Sequence, residues 1–221
     1  MRIASFARTA GVLIGLATLG WLGSRWLPPE WDPRQPLDLT AAPNLMTGLK
    51  LRWARQSPEA CFAAFAASGM AVTRVADRPS DQGCELANAM RLPTSLRISP
   101  AVPVVTCRVA VGWALYERQT LRPSGVVGVT HLGAQACRNV NHARQGRRSQ
   151  HATANALDIA GFRMADGREL SVARDWRGEE GQMRRLRDGA CRWFGAVLGP
   201  DYNAAHRDHF HLDMGQTRIC R

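Results

Sequence analysis

Apolar residues recur along this chain with a helical period in some stretches and a strand period in others, all within one domain's length. Ser57, Pro58 and Glu59 predict a helix start: a hydroxyl cap, a proline in the first turn and an acid at the positive dipole end. Phe62, Phe65 and Ala66 give that helix one apolar face, and Gly69 ends it. Residues 104–120 carry a second helical pattern, stopped by Pro123. Residues 179–198 form the clearest amphipathic pattern, with Met183, Leu186, Ala190, Phe194, Val197 and Leu198 on one side and Gly199-Pro200 as its end.

Strand patterns are shorter. Residues 125–132 (GVVGVTHL) are β-branched, and 156–162 and 169–173 flank Asp166-Gly167, a hairpin turn signal. Residues 209–214 (HFHLDM) alternate and are expected to be the last strand. Phe62, Phe65, Trp193 and Phe194 are assigned to the core. Helices and strands mixed with an antiparallel hairpin predict an α+β fold, a small domain with a central antiparallel sheet flanked by helices.

The N-terminal stretch differs in kind. An apolar run over residues 9–24 follows Arg2 and Arg8 and closes on Arg25 and Trp26. It matches a signal-peptide core in length, is slightly short for a full span, and is followed by no clean A-x-A site. An uncleaved signal anchor over 1–27 is expected, with a cleaved signal peptide as the alternative; either exports the domain. Residues 28–44 hold five prolines, which prevent helix and predict an extended tether. The folded domain is then expected over 45–221, long enough for one sizeable core.

Charge changes this picture little. The net charge is +11, and Lys50 is the sole lysine among 29 basic residues. The arginines are dispersed and no nucleic-acid motif accompanies them, so no nucleic-acid partner is expected. An anionic lipid or cell-wall polymer suits the charge as well. Six cysteines, Cys61, Cys84, Cys107, Cys137, Cys191 and Cys220, contain no C-x-x-C pair. In an exported chain they read as three disulfides, with the pairing left open.

The chemistry concentrates at two places. Residues 149–158 read SQHATANALD, and residues 206–213 read HRDHFHLD. His151 and Asp158 from the first and His211 from the second make a three-ligand set for Zn²⁺, which in catalytic sites keeps a fourth position for water. Strand alternation puts His209, His211 and Asp213 on one face, with Phe210 and Leu212 toward the core. Asp213 can orient a ligand imidazole through its second nitrogen. Ser149 lacks a G-x-S-x-G setting and is read as a turn or orienting residue, not a nucleophile. His131 and His142 are read as surface or strand-edge residues.

The run from Cys137-Arg138 through SQHATANALDIAGF to NAAHRDHFHLD resembles the bacterial extensin-like C-terminal domain family. That family in turn is similar to the zinc D-alanyl-D-alanine carboxypeptidases and penicillin-insensitive murein endopeptidases. The resemblance implies a D-Ala-D-Ala-peptidase/hedgehog-like fold and a zinc peptidase acting on peptidoglycan peptides. It implies work in the periplasm, at the inner membrane where the anchor is retained. The peptidase pattern S-x-H-x(6)-D with a late H-x-H implies His151, Asp158 and His211 as ligands. It implies Arg138 as the arginine holding substrate or oxyanion, and His206 as part of an H-x-x-H-x-H set. Carboxypeptidases place Glu three residues before the last ligand, where this chain has the shorter Asp208. Strand alternation puts His209 on the ligand face and Asp208 opposite, so His209 is preferred to Asp208 as the base. That departure keeps a second possibility open, a cell-wall binding module without catalysis.

Overall fold

The computed structural model describes residues 26–178 and 181–221, together with Gly11, Val12, Gly15, Thr18, Gly20 and Gly23. Most of the expected anchor falls outside them, as do Glu179 and Glu180. Among the described residues no helix is long and apolar enough to cross a membrane.

From residue 45 onward the first elements are two helices, α1 (Thr47–Gln56) and α2 (Pro58–Ala67). As the pattern predicts, Ser57 caps α2 by accepting from the Ala60 amide at 3.2 Å, with Pro58 in the first turn. Strands β1 (Ala89–Arg91), β2 (Arg97–Ser99) and β3 (Val104–Thr106) follow, β1 and β3 pairing antiparallel as a small separate sheet. The expected helix over 104–120 thus begins later: α3 is Cys107–Tyr116 and runs into a wider π-type turn, Glu117–Leu121. β-Branched Val104, Val105 and Thr106 stay extended, and Thr106 caps α3.

The main sheet has seven strands, ordered β2-β4-β5-β8-β7-β9, with β6 also on β5. Here β4 is Val126–Gly133, β5 Ala156–Met164, β6 Glu169–Ser171, β7 Ala196–Leu198, β8 Phe210–Asp213 and β9 Ile219–Cys220. The β5–β6 hairpin turns at Gly167, whose φ of 87° suits glycine. β5 is the centre. β4 lies along one edge, while β8 faces its first half and β6 its second. The β2–β4 and β7–β9 pairs are parallel, so the sheet is mixed rather than purely antiparallel. The architecture is α+β.

The long amphipathic pattern over 179–198 splits. Helix α5 is Gln182–Cys191, after a short α4 (Val172–Asp175), and the chain then turns at Gly195 into β7. Gly195 explains the break: its amide donates to Asp213 O at 2.8 Å, and a Cβ there would stand 2.7 Å from Gly215 O. Val197 is buried either way, so the apolar pattern suits helix and strand alike.

Leu157, Ile159, Phe210 and Leu212 point into the core with Trp113, Tyr116, Phe65 and Phe194. Part of the proline-rich stretch packs there too. Leu37 and Leu39 are buried, the Leu39 amide donates to Ser68 Oγ at 2.7 Å, and Lys50 Nζ donates to Pro29 O at 2.7 Å. Three disulfides join Cys61 to Cys107, Cys84 to Cys137 and Cys191 to Cys220. They tie α2 to α3, the loop after β4 to an upstream loop, and α5 to β9.

Candidate metal centre

Each of the three expected ligands sits on a different element. His151 lies on a short 3₁₀ turn, Gln150–Thr153, which Ser149 caps by accepting from the His151 amide at 3.3 Å. Ala152, Ala154 and Ala156 around it are fully buried, so small side chains bring the turn against the sheet. Ala154 ends the turn in a left-handed conformation, φ 54°. Asp158 on β5 stands directly opposite His211 on β8, because those two residues are register partners.

The donor atoms converge. His151 Nε2 is 3.0 Å from His211 Nδ1 and 3.1 Å from Asp158 Oδ1, and His211 Nδ1 is 2.9 Å from Asp158 Oδ1. All three residues are buried. The outer nitrogens are committed elsewhere. His151 Nδ1 faces Ala134 O at 3.1 Å, a group that can only accept, and His211 Nε2 faces Asp213 Oδ2 at 3.0 Å. A neutral ring carrying its proton on the outer nitrogen presents a bare lone pair inward. Two imidazole lone pairs and a carboxylate oxygen meeting this closely repel one another unless a cation sits among them.

Without metal, that cation is a proton. Burial works against a charged His211, but its hydrogen bonds to Asp158 and Asp213 outweigh burial and raise its pKa to about 9. Burial opposes Asp158 ionisation as well, yet His151 and His211 hold its carboxyl well below the usual range. The donor set fits Zn²⁺ on its chemistry: two nitrogens and one oxygen, each imidazole fixed by an acceptor behind it. Asp213 is held in turn, its Oδ1 accepting from the Gly215 amide at 2.7 Å.

The centre opens on a cleft of about 700 Å³. His206, His209, Arg138 and Arg108 line it. His209 precedes β8 and turns Nε2 inward, 3.8 Å from Asp158 Oδ1, while its Nδ1 donates to Asp208 Oδ1 at 2.9 Å. Asp208 itself faces a neighbouring cleft, beside Arg174, Arg177 and Arg207. The two candidate bases are therefore partners: Asp208 orients His209, and only His209 lines the metal cleft. The hydrogen bond from His209 in turn lowers the Asp208 pKa.

His206 sits on the 3₁₀ turn Ala204–His206, its Nδ1 bonded to Asn203 Oδ1 at 2.7 Å. Burial, then His211 and His209, push its pKa down to about 4, so it is neutral at ordinary pH. Arg138 is half-buried beside the Cys84–Cys137 disulfide, and its carbonyl accepts from the Ser149 amide at 3.0 Å. His142 reaches the cleft wall. His131 does not, and it is not a surface residue: it faces the inner side of β4, buried, with Nε2 2.7 Å from Ala101 O.

Some parts of this site carried no signal in the chain. The Ala134 carbonyl is a backbone atom, and its role depends on the loop after β4 passing behind His151. Asn203 and Tyr202, which hold and flank the His206 ring, read as ordinary turn residues beside Pro200. Asn155 is a buried amide linking Gln150 Oε1 at 2.6 Å to Thr106 Oγ1 at 3.0 Å, and so ties the His151 turn to the start of α3. A lone asparagine in SQHATANALD gives no hint of that.

Residues 59–221 match the family described as extensin-like protein C-terminus. The chain belongs to that family. Both histidine stretches, Arg138 and all three disulfides fall inside the matched region of this extensin-like domain. No curated protein and no solved structure matches the chain.

Proposed function

We propose that the extensin-like domain is an exported zinc peptidase acting on peptidoglycan stem peptides or cross-links. One observation carries this: His151 Nε2 and His211 Nδ1 meet the Asp158 carboxylate at the wall of an open cleft, while their outer nitrogens face Ala134 O and Asp213 Oδ2. A buried structural site has no need of the cleft.

His151 Nε2, His211 Nδ1 and Asp158 would hold the ion. The chemistry gained with it is an acidified water and a polarised carbonyl. The residues around it supply the rest. His209, oriented by Asp208, has Nε2 placed to take a proton near the ligand oxygen and return it to the leaving amine. Arg138 is a fork-shaped cation for a substrate carboxylate or a developing oxyanion. Neutral His206, its Nδ1 donating to Asn203 Oδ1, leaves Nε2 to accept one hydrogen bond without adding charge. Three disulfides agree with an oxidising compartment, the periplasm in this reading, reached through the arginine-flanked segment at residues 1–27.

A specific feature favours a second reading, a cell-wall binding module that keeps the metal without cleaving. Asp158 and Asp213 are the acids lining the metal cleft among the described residues, and both are engaged by ligand histidines. Metal content of the purified chain, measured beside digestion of isolated murein, separates the two. Zinc with released muropeptides supports the peptidase; bound but intact murein, with or without zinc, supports the module; no metal rejects the peptidase.

A further inference from the structure

β5 carries Asp158 and, two residues on, Ala160, which sits where the pairing of β5 with β4 slips by one residue. Ala160 lines a groove of about 350 Å³ on the sheet surface, running across β2, β4, β5 and β6. The groove therefore opens roughly 7 Å along the strand from the candidate metal ligand. Its middle is bare: Gly128 and Gly161 line it, and Ser99, Thr130 and Ser171 add hydroxyls. A side chain at Gly161 has no room, since its Cβ would meet Leu170 O at 2.5 Å.

The walls are cationic. Arg97, Arg163 and Arg174 face one carboxylate, Glu169. Glu169 accepts from Arg163 at 2.8 Å, and Arg174 is bonded to Asp175 and to the Glu169 carbonyl. Arg97 is exposed and pairs with no carboxylate among the described residues. A second connection leads back to the metal. Arg174 also lines the small cleft that holds Asp208, and Asp208 bonds His209. On the other side of the metal, the main cleft has its own guanidiniums, Arg108 and Arg138 among them. The metal centre thus lies between two arginine-bearing surfaces and not at a blind end.

Resting on the peptidase reading, we infer that this groove is a second binding site, for an extended peptide segment rich in free carboxylates. A substrate reaching both surfaces has its scissile bond internal, as in a cross-linked peptide with acidic branches. Trimming one small terminal residue leaves a groove of this size and charge without an occupant. The reaction stays a hydrolysis: water gives its hydroxyl to the carbonyl carbon and a proton to the departing amine, with no redox partner.

Equilibrium binding to the metal-stripped full chain tests the groove apart from turnover. The probes are a soluble cross-linked stem-peptide dimer and the same dimer with its carboxyls amidated. The expected result is that the acidic dimer binds at least 10-fold tighter, and that Arg97→Ala/Arg163→Ala removes the difference. Intact disulfides and unchanged zinc uptake show that the variant folds. Equal affinity of variant and wild type for the acidic dimer overturns the groove and leaves the peptidase reading standing. So does hydrolysis of the dimer by the zinc-loaded chain without measurable binding to the stripped one. Neither binding nor hydrolysis removes both.

Discussion

Asp213 Oδ2 accepts a hydrogen bond from His211 Nε2 at 3.0 Å, and the Gly215 amide donates to its other oxygen. Two residues apart on one strand, imidazole and carboxylate form a unit that aims Nδ1 at the candidate metal position. Asp213→Asn is expected to weaken zinc binding about 10–100-fold, the range typical for lost support behind a ligand histidine. Competition with a chromogenic chelator reads it directly, and unchanged affinity would show that the strand alone orients the ring.

The ligands themselves make a stricter case. The purified chain is expected to hold close to one zinc, and His151→Ala or His211→Ala to lose most of it, since two protein ligands hold the ion poorly. Full occupancy in the double variant, measured by elemental analysis, rejects this centre.

Zinc bound between these residues would displace a proton from His211. At neutral pH the metal-free imidazolium is favoured, with a pKa raised to about 9 from 6.5. Stability from this proton is complete below about 6.5 and is lost as pH rises through about 9. Metal affinity runs the other way, increasing across the same window as the proton leaves more easily. Titration calorimetry at pH 7 in buffers of different ionisation enthalpy is expected to show proton release on zinc binding. No release would mean that His211 is already neutral.

Much of the site was legible because strand alternation and the S-x-H-x(6)-D spacing are local. His211 and Asp213 share a face as expected, and Phe210 and Leu212 fill the core. The fold was legible where a cap or turn residue punctuated it, as at Ser57 and Gly167. It was misread where an apolar pattern served two structures: Val197 and Leu198 suit α5 extended or β7, and only the close approach at Gly195 decides. The pairing of cysteines and the carbonyl behind His151 depend on contacts between distant segments, which no local pattern encodes.

If the chain cleaves a peptide, His209→Ala is expected to cut turnover at least ~100-fold with zinc still bound, the loss typical of a positioned acid-base group. Asp208→Asn acts only through His209 and is expected to cost less, about 10-fold. The reverse order would make Asp208 the base. Full activity in both variants would place the proton transfer elsewhere.

The disulfides give a separate check. Thiol titration of the denatured, unreduced chain is expected to find no free cysteines, in line with the three bridges. Cys84→Ser/Cys137→Ser is expected to lower stability by about 2–5 kcal/mol in denaturant unfolding. It is also expected to weaken turnover, because that bridge fixes the loop carrying Arg138. Six reactive thiols would contradict the assignment.

Leu37 and Leu39, sunk in the core, alter how far the domain can travel. Residues 28–44 as a free extended leash would let it roam roughly 55 Å from its point of attachment. With Pro29 held by Lys50 and Leu39 by Ser68, that leash is already wound onto the body. Whatever precedes residue 28 therefore holds the candidate cleft at short radius, and the reach of that cleft is set by chain geometry and not by diffusion of a long arm.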